Sequence, residues 1–200
     1  MNMFSKPIAA FIFVCLLGVF SFAQSPLRRV QGRILTSKDL PKIRLKFDKK
    51  FKFSGSHQFV LYDRAKAEQY FFVEAESKKI KRMFMLQFEG FLPNIEAQYN
   101  YNEPNSVEFG GLKYFSNAEF VPNVEMALKA VPDSDIARAA RFLQEKGFVQ
   151  MKSLVFQRFV RVIDEAKRNE FIMVYIEEAE DEKSLQDLSD RARENFKVLK

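Results

Sequence analysis

The chain has 200 residues, 47% of them hydrophobic and 29% charged, with a formal net charge of +6. That balance excludes an intrinsically disordered chain, and seven glycines and seven prolines exclude collagen-like or proline-rich fibres. One histidine and one cysteine leave little material for zinc or thiol chemistry.

Met1 to Ser25 reads as an export address. A short start carries Lys6, an apolar stretch runs from Ile8 to Phe22, and Ser21-Phe22-Ala23 puts small residues before the cut. Cleavage is expected between Ala23 and Gln24. Residues 1–23 are then a signal peptide, 24–40 a loose arm or lead-in strand, and 41–200 a single domain. An uncleaved anchor is the weaker alternative, because the stretch is shorter than the ~20 residues of a spanning helix. Cys15 follows Val14 inside the apolar run and lacks the setting of a lipidated cysteine. The processed chain holds no cysteine, so packing alone stabilises it in a periplasmic or extracellular setting.

Charge is uneven along the chain. Arg28 to Lys52 carries ten basic and two acidic residues, whereas Asp164 to Lys200 carries seven basic and eleven acidic. The basic front suits an anionic envelope component such as lipid or cell-wall polymer. Nucleic acid is not an expected partner of an exported chain. A solvated strand face is the plainer account of the same lysines.

Lys42 to Phe53 alternates with a period of two, with Ile43, Leu45, Phe47, Phe51 and Phe53 on one side and charged residues on the other. This predicts a half-buried strand. Ser54-Gly55-Ser56 predicts a turn. Strands follow at Gln58–Tyr62 and Gln69–Ala75, with a polar connection at Asp63–Glu68. Ile80 to Phe91 predicts a longer strand with Phe84, Leu86 and Phe88 on one face and Met83, Met85, Gln87 and Glu89 on the other. Pro93 to Asn117 reads as a long loop ending in a short strand at Leu112–Phe115. Val124 to Ala130 fits a helical turn between two prolines.

Asp133-Ser134-Asp135 predicts a helix start, and the helix runs to Lys146 with Gly147 after it. Ile136, Ala139, Ala140 and Leu143 form its apolar stripe. Lys152–Ile163 and Glu170–Glu177 predict a β-hairpin around a polar loop. A final helix is expected from Ser184 to Leu199, with Leu185, Leu188, Ala192, Phe196 and Leu199 on one face. The fold class that follows is α+β, a mainly antiparallel sheet of about six or seven strands with two principal helices packed on one face.

Catalytic patterns are missing. His57 is the only histidine, and no G-x-S-x-G elbow or phosphate loop exists. Glu165 and Glu170 offer carboxylates for a hydrolase, but no spacing sets them apart. Two constellations remain. Tyr99, Tyr101, Asn102 and Tyr114 form an aromatic and amide set suited to sugars, peptides or amphiphiles, and Met83 and Met85 add a soft apolar face. Arg138, Arg141, Arg158 and Arg161 form an anion-binding set, or else pair with Glu145, Asp164 and Glu165.

The expected function is non-catalytic binding of an apolar or amphipathic ligand, a lipophilic small molecule, between sheet and helices. No cofactor and no metal are expected. The alternatives are an interaction module that docks by its basic first strand or C-terminal helix, and a carboxylate-based hydrolase.

Overall fold

The computed structural model describes residues 27–101 and 105–199. The N-terminal apolar run and Asn102 lie outside the described residues. The architecture is α+β, with two antiparallel sheets and three short α-helices.

The segment expected as an arm or lead-in strand forms two strands, β1 (Arg28–Gln31) and β2 (Ile34–Ser37). The predicted strand over 42–53 is interrupted. β3 (Ile43–Phe47) keeps the alternation, then a turn at Asp48 to Lys50 reverses the chain, with Asp48 accepting from the Lys50 amide at 3.1 Å. β4 (Lys52–Leu61) passes straight through the expected Ser54-Gly55-Ser56 turn. A bulge between Phe53 and Gly55 absorbs the irregularity, with Gly55 at φ +128°. A Cβ at Gly55 would also stand 2.9 Å from the Phe142 ring, so a glycine signal that reads as a turn is here a close approach.

β5 (Ala65–Glu76) and β6 (Lys79–Phe91) complete a meander with β4. β7 (Ser106–Phe109) and β8 (Leu112–Val121) form a hairpin around Gly110-Gly111, so part of the expected loop is strand and the short strand expected at Leu112–Phe115 is longer. β9 (Leu154–Val162) and β10 (Asn169–Glu178) form the predicted hairpin. β10 then pairs with β6, giving a seven-stranded sheet of order β4-β5-β6-β10-β9-β8-β7.

One face of this sheet meets helices. α1 (Val124–Ala130) and α2 (Asp135–Glu145) follow β8. Ser134 caps α2 by accepting from the Ala137 amide at 3.2 Å. Ala139 and Leu143 pack on Phe71, Met85, Ile172 and Val174, while Ile136, expected inside, is 40% exposed.

The other face meets a four-stranded sheet of order β1-β2-β3-β11. Leu35, Leu45 and Phe47 interlock there with Phe72, Phe84, Leu86, Phe171 and Tyr175. The predicted final helix divides instead. A 3-10 turn (Glu182–Leu185) leads to α3 (Leu188–Glu194), and β11 (Phe196–Val198) pairs with β3. Phe196 and Val198 fit a period of two, whereas Phe196 and Leu199 fit the helical stripe. The open edge of β3 decides the matter, because it offers ladder bonds that an exposed helix end does not.

Candidate functional site

A cavity of about 640 Å³ opens at one end of the sandwich. Its floor comes from two rows of the large sheet fixed by register. Gln58, Glu68 and Phe88 stand in one, and Val60, Lys66, Gly90 and Asn169 in the next. β1 and the turn after β2 supply the roof through Arg28, Asp39 and Leu40.

Arg28 ties roof to floor. Its Nη1 donates to Glu68 Oε2 at 3.0 Å, its Nη2 donates to the Leu40 carbonyl at 3.0 Å, and its guanidinium lies 4.0 Å from the Phe88 ring centroid. Glu68 also accepts from Gln58 Nε2 at 3.1 Å and from the Tyr70 hydroxyl at 2.5 Å. Burial, and then the bond to Glu68, push the Tyr70 hydroxyl far above its ordinary range. Gly90 is required by space: a Cβ there would stand 2.3 Å from Asn169 Oδ1, whose amide donates to Asp164 Oδ2 at 3.1 Å. The result is a site whose lining interleaves apolar side chains (Phe88, Leu40, Val60 and Ile163) with polar ones (Arg28, Glu68, Gln58, Lys66 and Asn169).

Glu89 and Glu170 border the same cavity through their strands, but their carboxylates turn to the helix-facing side. They are register partners on β6 and β10. Tyr99 donates to Glu89 at 2.7 Å and Tyr101 donates to Glu170. A chain of amides continues the row: Gln87 Nε2 donates to Glu89 at 2.5 Å, Gln69 Nε2 donates to Gln87 at 2.5 Å, and His57 Nε2 meets Gln69 Oε1 at 2.7 Å. Burial raises the Glu170 carboxyl to about 8 against the opposing bond from Tyr101, with the Glu89 charge adding to the rise. Glu89 is raised for the same first reason. With Glu170 only 3% exposed, the hydrogen bonds from Tyr99 and Tyr101 lock a strap of chain to the sheet. The strap is Leu92 to Tyr101. Arg168 holds it by donating to the carbonyls of Ile95 and Leu92 at 2.7 and 2.8 Å, and Phe91 stacks on Tyr99 at 4.3 Å.

The sequence-predicted site residues therefore separate. Tyr99 and Tyr101 are in the lock. Tyr114 is fully buried on the sandwich side, stacked on Phe109 at 3.8 Å. Met83 and Met85 face the helices, where the space they border is about 60 Å³, far below the ~300 Å³ at which small-molecule sites begin.

The four arginines do not converge. Arg138 lies over Phe59 at 5.1 Å, and Arg141 donates to the Pro132 carbonyl at 2.7 Å. Arg158 donates to Asn117 Oδ1 at 2.7 Å on the helix-facing side, and Arg161 donates to the Lys113 carbonyl at 3.0 Å from the opposite one. Among the described residues no group of three or more His, Cys, Asp or Glu is placed to hold a metal ion.

Sequence reasoning missed Arg28, Glu68 and Val60. Their only signals were a guanidinium at the edge of a basic run and a lone acid between two strand patterns.

Tyr114 supplies a direct test of its role. Its hydroxyl is buried with no hydrogen-bond partner among the described residues, and burial pushes it up to about 12. Tyr114→Phe removes an unsatisfied polar atom and leaves the ring stack. The variant is expected to be as stable as the parent or up to about 1 kcal/mol more stable by urea unfolding. A loss above that size would mean the hydroxyl has a function in the fold.

Comparison with models of protein families, with curated proteins and with solved structures finds no match to this chain.

Proposed function

We propose that this chain is a non-catalytic binding protein for an amphipathic small molecule, exported by way of its N-terminal segment, with the ligand seated in the open end of the sandwich. The observation that carries this reading is the 640 Å³ cavity lined by both apolar and polar side chains. Its volume lies within the roughly 300–1,000 Å³ of small-molecule sites. Leu40 and Val60 stand at its border 45% and 41% exposed, apolar surface that a ligand chain would cover. The seat differs from the space between sheet and helices, which is nearly filled.

The test is native mass spectrometry of protein purified without detergent, before and after solvent extraction, paired with titration of a dansyl-labelled medium-chain fatty acid. Val60→Trp fills the cavity from its rim. The variant is expected to weaken probe binding about tenfold or more, a change of ~1.4 kcal/mol. A wild-type chain that carries no extractable mass and does not bind the probe overturns the proposal. So does a Val60→Trp chain that binds as well as the parent.

A further inference from the structure

We propose that the outer face of the four-stranded sheet docks on a bilayer surface bearing anionic headgroups. The register places two rows across that face. Arg29, Thr36 and Arg44 form one, and Gln31, Ile34, Lys46 and Lys197 form the other. Neither row contains a carboxylate. Among the described residues no ion pair engages Arg29, Lys46 or Lys197. The first acid beyond β3, Asp48, is turned to the amide of Lys50.

The opposite sides of the same strands hold Leu35, Leu45 and Phe47, all fully buried. Packing therefore occupies one face and leaves the other with Arg29, Arg44 and Lys197 exposed and Lys46 half-buried. Four strands at ~4.8 Å spacing spread the cations over about 14 Å. This is a broad face and not a groove, which suits a planar array of charges better than a peptide or a duplex.

The chain leading into β1 favours a bilayer over a soluble polyanion. Leu27, at the entry to β1, is 57% exposed close to the exposed Arg29, so apolar and basic surface adjoin there. Juxtaposed basic and apolar residues are what anionic bilayer surfaces attract. This inference is independent of the cavity, which lies on the inner side of the same sheet.

The test uses the chain as an exporting host releases it, with sedimentation on vesicles of phosphatidylcholine alone or with about a third phosphatidylglycerol. Binding is expected only to the anionic vesicles and to fall steeply with added salt. Each cation near such a surface contributes about fivefold, so Lys46→Gln with Lys197→Gln should weaken binding roughly twenty- to thirtyfold. Lys113→Glu, exposed on β8, should leave it unchanged. Circular dichroism of each variant checks that the fold is kept. Equal binding to neutral vesicles, or full binding by the double variant, overturns the proposal. Tighter binding to heparin or duplex DNA than to the vesicles also overturns it and assigns the face to a soluble polyanion.

Discussion

Glu170→Gln is expected to make the protein more stable in mild alkali, by about 2–4 kcal/mol at pH 8.5, and to change little at pH 4. The unfolded chain releases the Glu170 proton near the ordinary 4.5, whereas the folded chain holds it to about 8. Between those values the folded state carries a proton that the unfolded state has lost, so raising the pH drives the equilibrium toward unfolding. The stability contributed by this site is complete below about 4.5 and disappears as pH rises through about 8. Glu89, raised in the same direction, steepens the slope. Glutamine keeps an oxygen for the Tyr101 hydroxyl but cannot ionise. Urea unfolding across pH 4 to 9 should therefore give a falling curve for the parent and a flatter one for the variant. Parallel curves would show that Glu170 ionises freely in the fold.

Truncating Phe84 should be among the most damaging single changes. Its ring is fully buried on β6 and lies 5.0 Å from Phe47 and from Phe51, 4.8 Å from Tyr175 and 5.9 Å from Phe196. Those partners come from β3, the turn after it, β10 and β11, so one side chain joins both sheets. Phe84→Ala removes the ring and leaves a void whose walls belong to separate elements and cannot collapse together. The expected loss is about 3–5 kcal/mol, a fall in Tm of about 6–20 °C by calorimetry. Against the 5–15 kcal/mol typical of a whole domain, that brings the protein close to unfolding. A loss below about 1 kcal/mol would mean that the ring does not bridge the sheets as described.

Local rules carried the reading where neighbours in sequence are neighbours in space. The alternation of β6 separates Phe84, Leu86 and Phe88 from Met83 and Met85, and the two sets do pack in different cores. The β9–β10 hairpin and the Ser134 cap are equally local. The break at Asp48 to Lys50 is a local turn, but the misses at Gly55 and at Phe196 to Val198 are places where a distant partner decides. Gly55 is a bulge because β5 runs alongside it and Phe142 presses on it from α2. Phe196 to Val198 is a strand because β3 has an edge to fill. The candidate site is hidden for the same reason. Arg28 and Glu68 belong to different sheets, and only the stacking of those sheets makes a roof and a floor. Glu170 was visible as an acid, but its burial depends on Tyr101 arriving from the strap.

The ladder between β3 and β11 has a kinetic consequence. It joins positions about 150 residues apart, a contact that closes slowly because so much chain must be ordered first. The cavity floor, by contrast, is largely a meander of sequential hairpins that can form early. The roof carried by β1 joins β2 and β3 through sequential hairpins as well, so the cavity requires only that these strands stack on the meander. A molecule seated beside Arg28 and Phe88 would therefore bind only once the two sheets have stacked, and would favour that stacked state by mass action.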